Sequence, residues 1–198
     1  MSIENTHFGA QAIHTMLADC KSIFFIGIGG VNMSSLAHIS LLRGYRVGGS
    51  DRTRTAVTEA LEQKGIRIHY SHDAANIESY DAVVYTVAIS EDNPEYLRAR
   101  EKRIPTISRS DFMGYLMTGY HNRIGISGMH GKSTCTSMCA EIFMQAGVDP
   151  TVLSAASMKS MGGAFRVGSD KHFIFEACEY MDSFLDFRPT VAILLNIE

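Results

Sequence analysis

From Ser22 onward the chain repeats one unit: a short apolar run, a glycine or polar turn, then a stretch with helical spacing. The first run, SIFFIGIG, is apolar almost without a break. A strand covered on both faces reads this way, whereas a half-exposed strand alternates. VNMSSLAHISLLRG follows as a helix ended by Gly44, and YRVGGSD as a second strand. TRTAVTEALEQKG makes a helix closed by Gly65, then IRIHY and DAVVYTVAI make strands. NPEYLRAREKR is a helix with Pro94 near its first turn, and IPTIS a strand ahead of SDFMGYLM. Such alternation needs crossovers, which are right-handed, so it predicts an α/β fold: an open parallel sheet with helices on both faces.

The text turns polar over Gly119 to Asn122, where a new strand, RIGIS, begins. A glycine loop and a helix from Lys132 to about Ala146 follow it. This places a domain boundary near residue 120, with one unit over 1–119 and a second over 120–198. HFIFEA and TVAILLNIE add two strands to the second unit, the last of buried type. A unit of roughly 80 residues buries a small core. The second unit therefore reads as the front part of something larger.

Composition narrows the function. At 45% hydrophobic and 20% charged the chain is globular in type, which argues against disorder. Lysine and arginine total 18 against 21 acidic residues, a net charge of −3 with no basic cluster, so a nucleic acid polymer is a poor partner. The apolar run Ile23 to Ile28 is far too short to span a bilayer. His, Asp and Lys precede it rather than a cleavable signal, so a cytoplasmic protein with no membrane partner is expected. The four cysteines, Cys20, Cys135, Cys139 and Cys178, contain no CxxC pair. Cys135 and Cys139 share a helix face and could meet a metal, but the stripe Cys135, Met138, Cys139, Ile142, Phe143, Ala146 has core spacing and predicts burial. The eleven methionines read as core filler in the same way.

Two glycine loops carry the chemistry. GIGGVNMS, Gly27 to Ser34, follows a strand and opens a helix, where backbone N–H groups and the helix dipole can meet a diphosphate. Asn32 occupies the third glycine position of GxGxxG, so close packing of helix on strand must tolerate a side chain there. Asp51 stands about 20 residues on, at the end of the second strand, where a carboxylate reaches a ribose hydroxyl. These residues leave open a ligand-free glycine turn, a nicotinamide dinucleotide site, or a site for another diphosphate.

The second loop is Gly128-Met129-His130-Gly131-Lys132-Ser133-Thr134. Ile126 stands where the usual phosphate loop has its first glycine, so this loop is shorter. The physics survives the shortening. Glycines let backbone wrap an oxyanion, Lys132 can bridge terminal phosphates, and Ser133 offers a hydroxyl to Mg²⁺ at a helix N-terminus. The plain alternative is a lysine that merely starts a solvated helix.

Taken together, GIGGVNMS, SGMHGKST, EACEYMDSFL and a last strand ending NIE resemble the Mur ligase family. The stretch VVYTVAISEDNPEYLRAREKRIPTISRSDFMGYLM also resembles the segment closing that family's first domain. The resemblance implies a Rossmann-like UDP-sugar-binding domain over 1–119 and the first part of a P-loop-type ATP-binding α/β domain over 120–198. It is best for the branch that joins L-alanine to UDP-N-acetylmuramate in peptidoglycan precursor synthesis. In that reaction a muramate carboxylate attacks ATP to give an acyl phosphate, which the alanine amine displaces, releasing ADP and phosphate. A recycling ligase that attaches a tripeptide, and a non-catalytic UDP-sugar-binding remnant, are the alternatives.

The same resemblance implies roles by residue. Gly27, Gly29, Gly30, Met33, Ser34, Asp51, His72 and Arg109 would hold the UDP-sugar. Gly128, Met129, His130, Gly131, Lys132, Ser133 and Thr134 would hold ATP, with Lys132 on its β and γ phosphates. Ser133 and Glu176 would ligate Mg²⁺, Glu179 would support them or face solvent, and Asn196 would line the cleft. Met129 and Ser133 stand where the family has threonine, and the NxExDHxD motif is cut at Glu198.

Overall fold

The computed structural model describes residues 3–178 and 180–197. The chain divides into two compact units, Met1–Phe112 and Met113–Glu198. In the first, α1 (Ala10–Met16) precedes β1 (Ser22–Ile26), α2 (Val31–Leu42), β2 (Arg46–Ser50), α3 (Ala56–Gln63) and β3 (Arg67–His69). After a 3₁₀ turn at Ala74–Ile77 come β4 (Ala82–Tyr85), α4 (Pro94–Glu101) and β5 (Thr106–Ser108). All five strands are parallel, in the order β3-β2-β1-β4-β5. The continuous apolar spelling of β1 has its expected outcome, since every residue of this central strand is buried. Phe24 and Ile26 pack with Val83 and Tyr85 on one face, while Phe25 meets Phe112 edge-on.

β1 and β4 are neighbours although β2 and β3 lie between them in sequence. The strand order therefore reverses at the C-terminal end of β1, and open parallel sheets bind ligands in the crevice at such a point. Here α2 comes close to the sheet through serines rather than through a third glycine. Ser34, Ser35 and Ser40 are buried, and their hydroxyls donate back to the carbonyls of Val31, Asn32 and Leu36. Asn32 turns the other way and lines a cleft, which is why the sequence tolerates it.

α5 (Arg109–Met117) carries the division between the units, ahead of the polar stretch at Gly119 to Asn122. Its latter half packs on the second unit. A Cβ on Gly114 would stand 2.3 Å from the Asp186 carbonyl oxygen, and the Arg188 N–H donates to Met117 Sδ. The polar turn thus ends a helix already committed to the second core.

That core lies on β6 (Asn122–Ser127), α6 (Lys132–Gln145), β7 (Thr151–Met158), β8 (Gly163–Arg166), β9 (His172–Glu176) and β10 (Val191–Leu194). The sheet order is β10-β6-β9-β7-β8, with β8 antiparallel to β7 and the rest parallel. The β7–β8 hairpin has no apolar alternation to announce it. Small residues, SAAS, fill the middle of TVLSAASM, and β8 opens on a glycine.

Three sequence expectations are corrected. The inward face of α6 centres on Thr136 and Ala140, with Cys135, Cys139 and Phe143 partly covered, whereas Met138, Ile142 and Ala146 are exposed. Spacing identifies which residues share a face but not how far that face reaches into the core. Met129 and Met138 are likewise exposed, so the methionines are not uniformly core filler; Met33, Met113 and Met117 are. Finally, β10 is apolar but not buried: it pairs with β6 along one edge, and Val191 and Leu194 are exposed. Among the described residues no helix is long and apolar enough to cross a membrane.

Candidate functional site

Each unit places a glycine turn at the end of an inner strand and at the head of a helix. The first turn is braced from beneath. Gly27 and Ile28 N–H groups both donate to the Ser50 carbonyl, and Gly29 N–H donates to Asp51 Oδ2 at 2.8 Å. Gly30 N–H closes the turn on the Gly27 carbonyl. Gly27 has φ +82°, and a Cβ there would stand 2.9 Å from Thr86 Cγ2. A Cβ on Gly29 would stand 2.7 Å from Asp51 Oδ2. Gly30 differs, because an added Cβ would meet nothing closer than 3.6 Å. The first two glycines therefore let the turn lie tightly on its neighbours, while the third leaves open space beside it. No side chain caps α2, so the head of that helix keeps its affinity for an anion.

Above this turn lies a cleft of about 440 Å³ lined by Gly27, Gly30, Met33, Asp51, His72 and Arg109 from the sequence prediction. Gly29 and Ser34 do not line it. Gly29 is turned onto Asp51, and the Ser34 hydroxyl is buried on Val31 O. Asp51 has both carboxylate oxygens engaged, Oδ2 by Gly29 and Oδ1 by the Thr53 N–H. Its first task in this structure is to hold the turn. Sequence reading missed Arg52, Thr86, Ala88 and Ile89 in the wall. A signal for Thr86 existed: β4 runs parallel to β1 with Tyr85 opposite Ile26, so the next residue must face Gly27. For Glu95, whose carboxylate meets His72 Nδ1 at 2.7 Å, there was none.

In the second unit, β6 runs into Gly128 (φ +142°) and Gly131 (φ +85°), the latter at the N-cap of α6 with no capping side chain. Lys132 folds over this loop, its Nζ donating to Gly128 O at 2.6 Å and Met129 O at 3.3 Å. Met129, His130 and Thr134 are exposed around it. Asn196 braces the loop from outside: its amide accepts from the His130 N–H and donates to the His130 carbonyl, both at 3.0 Å. That pairing copies a backbone ladder with a side chain.

Glu176 ends β9, between β6 and β7. Its Oε2 accepts from the Ser133 hydroxyl at 3.0 Å, and its Oε1 from Ser154 Oγ at 2.8 Å and the Ala155 N–H at 2.6 Å. Ser154 follows Leu153, which is in register with Phe175, so adjacent strand ends deliver both residues to one point. The Ser133 and Glu176 oxygens fit Mg²⁺, a hard cation that takes one or two carboxylates and completes its shell with water and phosphate. Among the described residues no group of three or more His, Cys, Asp or Glu is assembled as a metal cage. Glu179 and Glu198 lie outside the described residues.

Two glycine turns at strand ends, each heading a helix with no side-chain cap, define an α/β protein whose two sheets each present a helix head of the kind that attracts anions. Comparison with known proteins agrees. The model of the Mur ligase family, catalytic domain, matches residues 22–121. A UDP-N-acetylmuramate–L-alanine ligase of Clostridium novyi is 47% identical over 178 residues, covering 90% of this chain and 39% of that protein. The solved UDP-N-acetylmuramate–alanine ligase MurC of Thermotoga maritima superimposes with a TM-score of 0.80 at 32% identity, over 87% of this chain and 40% of that one. The UDP-N-acetylmuramate:L-alanyl-γ-D-glutamyl-meso-diaminopimelate ligase of Neisseria meningitides gives 0.80 at 27% identity, over 88% and 60%. This chain belongs to the Mur ligase family, and it spans about two fifths of the length of the curated relatives it matches.

Proposed function

We propose that this chain supplies the nucleotide-sugar site and the phosphate loop of a cytoplasmic, ATP-dependent ligase that joins L-alanine to UDP-N-acetylmuramate. The observation that carries this reading is the Ser133–Glu176 oxygen pair at the head of α6, beside a shortened glycine loop with its own lysine. Carboxylate and triphosphate repel each other, so a ligase that activates one with the other must first neutralise charge. Lys132 would leave the Gly128 and Met129 carbonyls for the β and γ phosphates. Ser133 and Glu176 would hold Mg²⁺, which supplies further positive charge to the phosphates when bound. Ser154 and the Ala155 N–H keep Glu176 facing that point. The first cleft, with Arg52, His72 and Arg109 in its wall, would take the UDP part of the muramate substrate.

A second reading, attachment of a ready-made tripeptide, draws on the likeness to the Neisseria protein. The 47% identity to an L-alanine ligase against 27% to that protein favours the first. Isothermal titration of the chain with UDP-N-acetylmuramate and with Mg-ATP tests the proposal. Binding of both is expected. The sugar nucleotide bound without Mg-ATP would point to a non-catalytic module and overturn the ligase reading.

A further inference from the structure

Glu95 stands in the first turn of α4 and is completely buried. A carboxylate without solvent is costly unless several donors satisfy it. Three converge on it from three separate pieces of the first unit. Oε2 accepts from Ser50 Oγ at 2.6 Å, at the end of β2, and lies 2.7 Å from His72 Nδ1. Oε1 accepts from Asn76 Nδ2 at 2.7 Å, in the 3₁₀ turn. Asn76 also donates to the Ser71 carbonyl at 2.9 Å, so one amide ties the His72 loop and the carboxylate together. The head of a helix is where a buried negative charge is best tolerated, and Asn93 caps that head by accepting from the Glu95 and Tyr96 N–H groups.

The chemistry then fixes the ring. An ionised carboxylate only accepts, and the tautomer of a histidine is set by the bond that one of its nitrogens makes. His72 Nδ1 also lies 3.2 Å from Ser50 Oγ, but that hydroxyl gives its hydrogen to Glu95, so beside an ionised carboxylate Nδ1 is the nitrogen that carries the ring hydrogen. With that edge engaged and the side chain 14% exposed, the edge bearing Nε2 is what His72 offers to the cleft it lines. Ser50 links this pair to the glycine turn, because its carbonyl receives the Gly27 and Ile28 N–H groups while its hydroxyl binds Glu95.

We propose that Glu95 is a positioning residue that acts through His72, locking the ring as its Nδ1–H form so that Nε2 is aimed at the ligand of the first cleft. This rests on the reading of that cleft as the nucleotide-sugar site, and it adds a residue that never touches the ligand. Two measurements test it, and the first needs no ligand. Long-range ¹H–¹⁵N correlation spectra of the ¹⁵N-histidine-labelled chain, with the signal assigned by its loss in His72→Ala, should show neutral His72 protonated at Nδ1. An Nε2–H tautomer would overturn the proposal whatever the cleft binds.

The second is a double-mutant cycle read as affinity for UDP-N-acetylmuramate. Glu95→Gln keeps the shape but replaces one acceptor oxygen with a donor, so at least one of the three donors loses its partner. Glu95→Gln and His72→Ala should each weaken binding about tenfold, the loss expected for a hydrogen bond to a charged group. The double variant should be no weaker than His72→Ala alone. If the Glu95→Gln loss persists in full beside His72→Ala, Glu95 does not work through the ring and the proposal falls. If wild-type chain binds no UDP-N-acetylmuramate, the reading of the cleft fails, while the tautomer spectrum still decides the role of Glu95.

Discussion

The two glycine turns look alike in sequence and are braced in opposite ways. The first rests on a carboxylate and a carbonyl from its own sheet: Asp51 takes the Gly29 N–H, and Ser50 takes those of Gly27 and Ile28. The second is held by one neutral amide, Asn196, and by a lysine lying across its own carbonyls. In the first turn the early backbone donors are bound within the protein, so the ligand must be met by the head of α2 and by side chains in the wall. In the second the cation is stored on the loop, ready to change partners. A spelling rich in glycine therefore specifies how closely backbone can approach, and the braces decide what the turn offers.

This contrast can be broken by experiment. The largest effect is expected for Lys132→Ala, which should lower Mg-ATP affinity about a hundredfold, or ~2.8 kcal/mol, in isothermal titration and leave UDP-N-acetylmuramate binding unchanged. Loss of both ligands would mean the turns are not independent. Next, Gly27→Ala combines a left-handed φ with a 2.9 Å contact and should cost the first unit about 1–3 kcal/mol in denaturant unfolding. Gly131→Ala has the same backbone strain but 3.5 Å to its nearest neighbour, Leu195 Cδ1, and should cost less. An equal cost would show that close approach is irrelevant to the first turn. Smaller again, Asn196→Ala should weaken Mg-ATP binding about tenfold, whereas Asp51→Ala should lower the unfolding midpoint of the first unit more than it lowers ligand affinity.

The smallest effect is one of pH. Burial, and then the charge of Lys64, lower the His38 pKa below its ordinary 6.5. The unfolded chain then takes up the proton first as pH falls. The stability that His38 contributes is full above about pH 6.5 and declines below it, toward the lower folded-state value. His38→Gln should flatten that slope in urea melts between pH 7 and 5, and an unchanged slope would assign it to other groups.

Much of this is legible in the sequence. The continuous apolar spelling of β1, the helix opened by Pro94, and the strand-turn-helix order all announced a parallel α/β sheet. Gly27, Gly30, Met33, Asp51, His72 and Arg109 do share one cleft. Other features were hidden for physical reasons. β7 runs from a buried start into the small residues SAAS and β8 is only GAFR, so neither shows a period, and exposed Met138 and Ile142 make the outer side of α6 apolar too. Gly29 and Ser34 carry the spelling of ligand contacts but face the protein, since a turn this tight has two sides. Glu95 reads as an ordinary acid in a first helical turn, and only the meeting of β2, the His72 loop and the 3₁₀ turn makes it a buried hub.

The 2.7 Å between Asp51 Oδ2 and the place where a methyl on Gly29 would stand joins two codons into one heritable character. A residue larger than glycine at 29 pushes the carboxylate aside, and a shorter residue at 51 leaves the Gly29 N–H without that acceptor. Paired randomisation of the two positions therefore samples solutions that a library changing one at a time leaves out.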